Sequence, residues 1–125
     1  MGTLDVTWFT GTVIRGDQVG RTLNFPTANL DPTLLAHIEK EGVYAAKVRL
    51  GSRNYRGALY LGPRITLGET KRVLEIHLLD FNGDIYEATL QFKLGKFIRQ
   101  PSNFPGQQEL MDRLQADVAA VRAAA

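Results

Sequence analysis

Apolar and polar positions along this chain follow a strand period for about a hundred residues and then switch to a helical one. Thr7 to Ile14 alternates, with Val6 and Trp8 set against Thr7 and Phe9, and reads as a first strand. Gly16 to Leu23 breaks the pattern as a loop, and Pro26 to Asn29 reads as a turn. Asp31-Pro32 can open a short helical turn through Leu35 and Ile38. Gly42 to Leu50 is a second strand, Gly51-Ser52-Arg53-Asn54 a hairpin connection, and Tyr55 to Leu61 the returning strand, broken at Gly62-Pro63. Val73 to Phe81 carries the strongest strand signal, with Leu74, Ile76 and Leu78 on one face and Glu75 and His77 on the other. Asn82-Gly83-Asp84 has the Asn-Gly hairpin signature, so Ile85 to Leu94 is expected to pair back on it. From Gly106 to Ala123 the apolar residues fall at Leu110, Met111, Leu114, Val118 and Val121, one face of a helix. Gly106 is placed as its N-cap, with Glu109 three residues on, and the alanine-rich end is expected to fray.

Strands joined by tight turns pair antiparallel, and the lack of long helices between them favours a closed or nearly closed barrel. The expected fold is all-β dominated: a single, small, antiparallel, Greek-key-like β-barrel of about six strands. The C-terminal α-helix is expected to pack on its outside. At 125 residues the chain makes one domain, 1–125, large enough to bury a core without staples.

Composition narrows the chemistry. There is no cysteine, which removes disulfide scaffolds, zinc-thiolate sites and cysteine nucleophiles and fits a reducing, cytoplasmic setting. No apolar run is long enough to span a membrane, and Met-Gly-Thr-Leu-Asp-Val at the start does not resemble a secretory signal. Fifteen Lys and Arg against 13 Asp and Glu leave a net charge of +2, too small an excess for a nucleic-acid footprint. Neither nucleic acid nor membrane is expected as a partner.

Candidate chemistry concentrates between Gly11 and Leu30. Gly16, Gly20 and Arg21 leave backbone free to close over something anionic. Thr27 and Asn29, two residues apart, offer small oxygen ligands suited to a hard cation such as Mg²⁺, although for a bare Thr-Ala-Asn an Asx or Ser/Thr turn capping its own backbone is much the better explanation. The P-loop pattern of glycines, lysine and Ser/Thr is absent, so any phosphate handling must use another loop. Glu75 is a carboxylate inside a strongly apolar strand, where a charge needs a partner or a task. A half-exposed strand with polar outward residues accounts for it otherwise. His77 is best explained by a polar slot on the barrel, His37 by a surface turn, and Asp80 and Asp84 by turn chemistry beside Asn82-Gly83.

The run Gly11-x-Val13-x-x-Gly16-x-x-x-Gly20-Arg21-x-Leu23-x-Phe25-Pro26-Thr27-Ala28-Asn29 resembles the nucleotide-binding signature of the riboflavin kinase (flavokinase) family. Val73-x-Glu75-x-His77-x-x-Asp80-Phe81 is similar to a second stretch of that family, and the likeness runs in order from about Gly11 to Asp117. The resemblance implies transfer of the γ-phosphoryl group of ATP to the 5′-hydroxyl of riboflavin, giving FMN and ADP. It implies Glu75 as catalytic base, and Gly16, Gly20, Arg21, Pro26, Thr27 and Asn29 around the nucleotide. Thr27 and Asn29 would ligate Mg²⁺, with Zn²⁺ or Mn²⁺ as open alternatives. Arg99 and Phe104 become candidates for shaping the flavin site, with a salt-bridged strand-end arginine and a helix-docking aromatic as competing explanations. Asn24, Ile65 and Glu87 depart from the family pattern of glycine, proline and glycine. No adenylyltransferase region is recognised, so the chain is expected to stop at FMN, as a monomer or as part of a longer FAD synthetase. A non-catalytic flavin- or nucleotide-binding module is the alternative.

Overall fold

The computed structural model describes residues 7–14, 27–64, 68–81, 85, 88–103 and 106–124. Six strands form one antiparallel sheet: β1 (Phe9–Thr12), β2 (Thr27–Leu30), β3 (Gly42–Leu50), β4 (Arg53–Pro63), β5 (Arg72–Leu78) and β6 (Thr89–Arg99). Their spatial order is β1-β6-β3-β4-β5-β2. β3, β4 and β5 form a meander and β6 returns beside β3, which is the Greek-key arrangement. The sheet curls until its edge strands meet. Beyond the end of β1, the Ile14 N–H donates to the Asn29 carbonyl at 2.7 Å, in an isolated bridge to β2. The expected barrel is therefore a curled sheet joined at one described point, with α1 (Gln107–Ala123) packed against β3, β4 and β6.

Alternation decides the inside. Leu74, Ile76 and Leu78 of β5 point inward with Ala28 and Leu30 of β2, Leu59 and Leu61 of β4, Tyr44, Ala46 and Val48 of β3, and Leu90 and Phe92 of β6. Phe9 stacks on Phe92 with ring centroids 5.4 Å apart, extending the core to β1. Trp8 takes the opposite parity and lies outward against the Arg49 guanidinium, 3.9 Å from its ring centroid.

Four expectations are corrected. Thr27 to Asn29 is not a turn. It belongs to β2, paired from Thr27↔His77 to Leu30↔Leu74, because the register places Ala28 and Leu30 in the core. Gly62-Pro63 does not break β4, since Pro63 occupies its last position opposite Arg72, where a missing N–H costs little. The strand expected from Val73 to Phe81 ends at Leu78, and Asp80 takes a left-handed turn conformation with φ 59°. Finally, β6 does not pair back on β5. Both edges of β5 are taken, by β4 and by β2, so β6 starts later, runs on to Arg99 and pairs with β1 and β3.

The 3-10 turn Pro32–Leu35 forms where Asp31-Pro32 predicts it, capped by Asp31 Oδ1, which accepts from the Thr33 N–H at 2.9 Å. Gly106 is the N-cap of α1 without a side-chain cap bond, since glycine has none to offer. Where β3 begins, Gly42 adopts φ 145°, and a Cβ there would stand 2.0 Å from the Arg99 carbonyl oxygen. Only glycine allows the end of β6 to come so close, and that approach fixes where Arg99 emerges.

Candidate active site

Directly opposed residues of antiparallel strands share a face, so the register alone assembles the outer surface of the sheet. Asn29 opposes Glu75, Glu75 opposes Tyr60, Tyr60 opposes Val43, and Val43 opposes Arg99. The result is a row across β2, β5, β4, β3 and β6. A second row places Thr27 opposite His77 and His77 opposite Ala58. Thr27 and Asn29 lie two residues apart on a strand, hence on one face, beside His77 and Glu75.

The chain after β4 closes this patch. The Glu69 N–H donates to the Arg64 carbonyl at 3.2 Å, which brings Glu69 beside the end of β4. The Arg64 side chain then lies over the sheet. Its Nη2 donates to Asn29 Oδ1 and to Glu75 Oε2, each at 3.2 Å, and its Nη1 lies 3.6 Å from Glu69 Oε1. Asn29 is buried, and burial of an amide is tolerated because it is hydrogen-bonded. Glu75 thus has a charged partner, and its side chain is half-buried.

Tyr60 stands on the other side of Glu75. Its hydroxyl donates to the Pro63 carbonyl, and burial, with Glu41 the next cause, pushes it up to about 12. It stays neutral at any physiological pH, a donor rather than a base.

Arg99 ends the row with a different geometry. Its Nε donates to Asp117 Oδ1 and its Nη2 to Asp117 Oδ2, both at 2.8 Å, and its Nη1 donates to the Gln100 carbonyl at 3.1 Å. The salt-bridged strand-end arginine is the arrangement found, and it ties α1 to β6. Five residues further along α1, Arg122 forks onto Asp80 at 2.8 and 2.9 Å, which gives the left-handed Asp80 its task.

Of the sequence-derived site residues, the structure brings Thr27, Asn29 and Glu75 together and sets Arg99 at the far end of the same row. Gly16, Gly20, Arg21, Pro26 and Phe104 lie outside the described residues, as do Asn24, Ile65, Asp84 and Glu87. Sequence reasoning missed Arg64 and Tyr60. The signal for Arg64 existed: a carboxylate inside an apolar strand needs a partner, and Arg64 sits in the connection leading into that strand. Among the described residues no three His, Cys, Asp or Glu gather into a metal cage. Thr27 and Asn29 offer a hydroxyl and an amide oxygen on one face, donor types that suit a hard cation.

Comparison with known proteins gives the family. The family model for riboflavin kinase (flavokinase) matches residues 5–125. The chain is 37% identical over 114 residues to the bifunctional riboflavin kinase/FMN adenylyltransferase of Listeria monocytogenes, covering 90% of this chain and 36% of that protein. Among solved structures, a Trypanosoma brucei riboflavin kinase superposes with a TM-score of 0.65 at 25% identity, covering 93% of this chain and 77% of that one. A Streptococcus pneumoniae chain described as a macrolide-efflux protein superposes with a TM-score of 0.78 at 32% identity, covering 92% of this chain and 38% of that one. The chain belongs to the riboflavin kinase family. It spans about a third of the length of the bifunctional relative from Listeria.

Proposed function

We propose that this chain is an ATP:riboflavin 5′-phosphotransferase, converting riboflavin and ATP to FMN and ADP. The observation that carries the reading is Glu75. It is a partly accessible carboxylate on the outer face, paired across the sheet with Asn29 and two residues from His77, on the strand where the family resemblance puts a base. In the reaction the 5′-oxygen of the ribityl chain forms a bond to the γ-phosphorus while the bond to the bridging β,γ-oxygen breaks. Glu75 accepts the hydroxyl proton and orients the oxygen in line.

The rest of the catalysis is positioning and charge neutralisation. Thr27 and Asn29 would hold the divalent cation, Mg²⁺ by preference, with Mn²⁺ or Zn²⁺ as alternatives. When bound, it neutralises charge on the phosphate oxygens. The segment from Gly16 to Pro26, with Gly20 and Arg21, would supply backbone and guanidinium donors to the phosphates. Arg99 borders the flavin end indirectly, by fixing the helix, and Phe104 would contribute an apolar wall there. Membership of the family supports a cytoplasmic enzyme.

The test is incubation with riboflavin, ATP and Mg²⁺, with flavins separated chromatographically. FMN and ADP formed in equal amounts are expected. Both ligands bound but unchanged, across several donors and metals, would instead identify a binding module.

A further inference from the structure

Arg64 fills the space between two oxygens that the proposed reaction needs. Its Nη2 lies 3.2 Å from Asn29 Oδ1 and 3.2 Å from Glu75 Oε2. A divalent cation seeks the same kind of oxygen ligand, and it cannot sit beside a guanidinium without repulsion. Both contacts lie at the long end of the hydrogen-bond range. An alternative anchor is already in reach, since Nη1 lies 3.6 Å from Glu69, whose side chain is exposed. Turning toward Glu69 moves the charge toward water and buries none.

We propose that Arg64 is the resident counter-cation of the site: it holds Asn29 and Glu75 together, excludes a free divalent ion, and shifts toward Glu69 as a metal-bound nucleotide enters. The physical basis is charge. A free divalent ion adds two positive charges beside a guanidinium and is repelled. A metal–nucleoside triphosphate is net negative and is attracted to the same guanidinium. Arg64 thereby couples metal entry to nucleotide entry, as a positioning residue that takes no proton and forms no bond. The inference rests on the kinase reading only for the identity of the incoming anion.

Mn²⁺ binding to the whole chain without nucleotide, read from the electron paramagnetic resonance signal of free Mn²⁺, tests it directly. Arg64→Ala and Arg64→Gln should bind Mn²⁺ about tenfold tighter than wild type, as expected for loss of a close, partly screened positive charge. Arg64→Lys, which keeps the charge, should stay weak. Arg72→Gln is the control. It removes an equal charge from the neighbouring ion pair with Glu41, where the Nε–Oε2 distance is 3.0 Å, and should leave Mn²⁺ affinity within about twofold. The glutamine variant retains hydrogen-bonding capacity and carries the test if the alanine variant does not fold. Unchanged affinity in the Arg64 variants, or equal tightening in Arg72→Gln, overturns the proposal. FMN formation by wild type is scored separately. Tighter Mn²⁺ binding without any FMN keeps the counter-cation and removes the kinase, and FMN with unchanged Mn²⁺ binding does the reverse.

Discussion

The row across the outer face ends in two arginine–carboxylate pairs of unlike build. At one end Arg64 Nη2 lies 3.2 Å from Glu75 Oε2 and 3.2 Å from Asn29 Oδ1, and the ion-paired side chains are 19% and 22% exposed. At the other end Arg99 grips Asp117 through two nitrogens at 2.8 Å, and the side chains are 11% and 4% exposed. The same chemistry does different work. A longer, shared and partly wet pair can exchange partners more readily than a short, buried one. A saturated, buried fork cannot let go without stranding a charge, and so holds a helix. Ion-pair geometry, more than residue type, separates site from scaffold in this fold.

Substitutions at the two ends should therefore fail in opposite ways. Glu75→Gln should lower the rate of FMN formation by about 10²- to 10⁴-fold, as loss of a general base does, with flavin affinity and the urea midpoint close to wild type. Near-normal turnover in that variant would remove Glu75 as the base. Asp117→Ala should do the converse. It removes the carboxylate from a buried fork, and should cost about 3–5 kcal/mol in urea unfolding. A loss below about 1 kcal/mol would mean that the fork is no stronger than a surface pair.

Tyr60 stands between the pairs and sharpens the contrast. Tyr60→Phe keeps the ring and loses the hydrogen bond to the Pro63 carbonyl, costing about 1 kcal/mol at neutral pH. The sign of its pH dependence is fixed. The folded value lies above the ordinary 10.0, so the protonated hydroxyl stabilises the fold fully below about pH 10. That contribution is lost as the pH rises from about 10 to about 12. The stability gap between wild type and Tyr60→Phe should narrow over that interval, and a constant gap would count against a buried, neutral hydroxyl. The smallest effect is expected at Asp80–Arg122. This pair is as well forked as Arg99–Asp117, but its side chains are 72% and 48% exposed. Asp80→Asn should move the urea midpoint by less than about a fifth of the Asp117→Ala shift while speeding amide exchange at the end of α1. A shift comparable to that of Asp117→Ala would show that geometry outweighs burial.

Much of this was legible in the chain. β3 has the expected bounds, the 3-10 turn and the helix form where their signals lie, and the alternation in β5 correctly puts Glu75 and His77 opposite the core face. These features depend on neighbours within a few residues, where period and capping act. The failures are of one kind. The Asn82-Gly83 signature predicted a hairpin with β5, but local turn propensity cannot know that β4 and β2 already occupy both edges of that strand. Thr27-Ala28-Asn29 looked like a turn because its polar residues suit one, yet two buried apolar side chains, Ala28 and Leu30, set it as a strand.

The sequence by itself determined the family, the antiparallel class, the core face of β5 and the residue types of the proposed site, because motif and period are properties of the chain. Only the tertiary structure decided that Asn29, Glu75 and Tyr60 stand side by side, that Arg64 is the cation between Asn29 and Glu75, and that Arg99 serves the helix. Those outcomes depend on strand order and register. Register is set by which side chains fit a common core, and no stretch of sequence contains both sides of that contact.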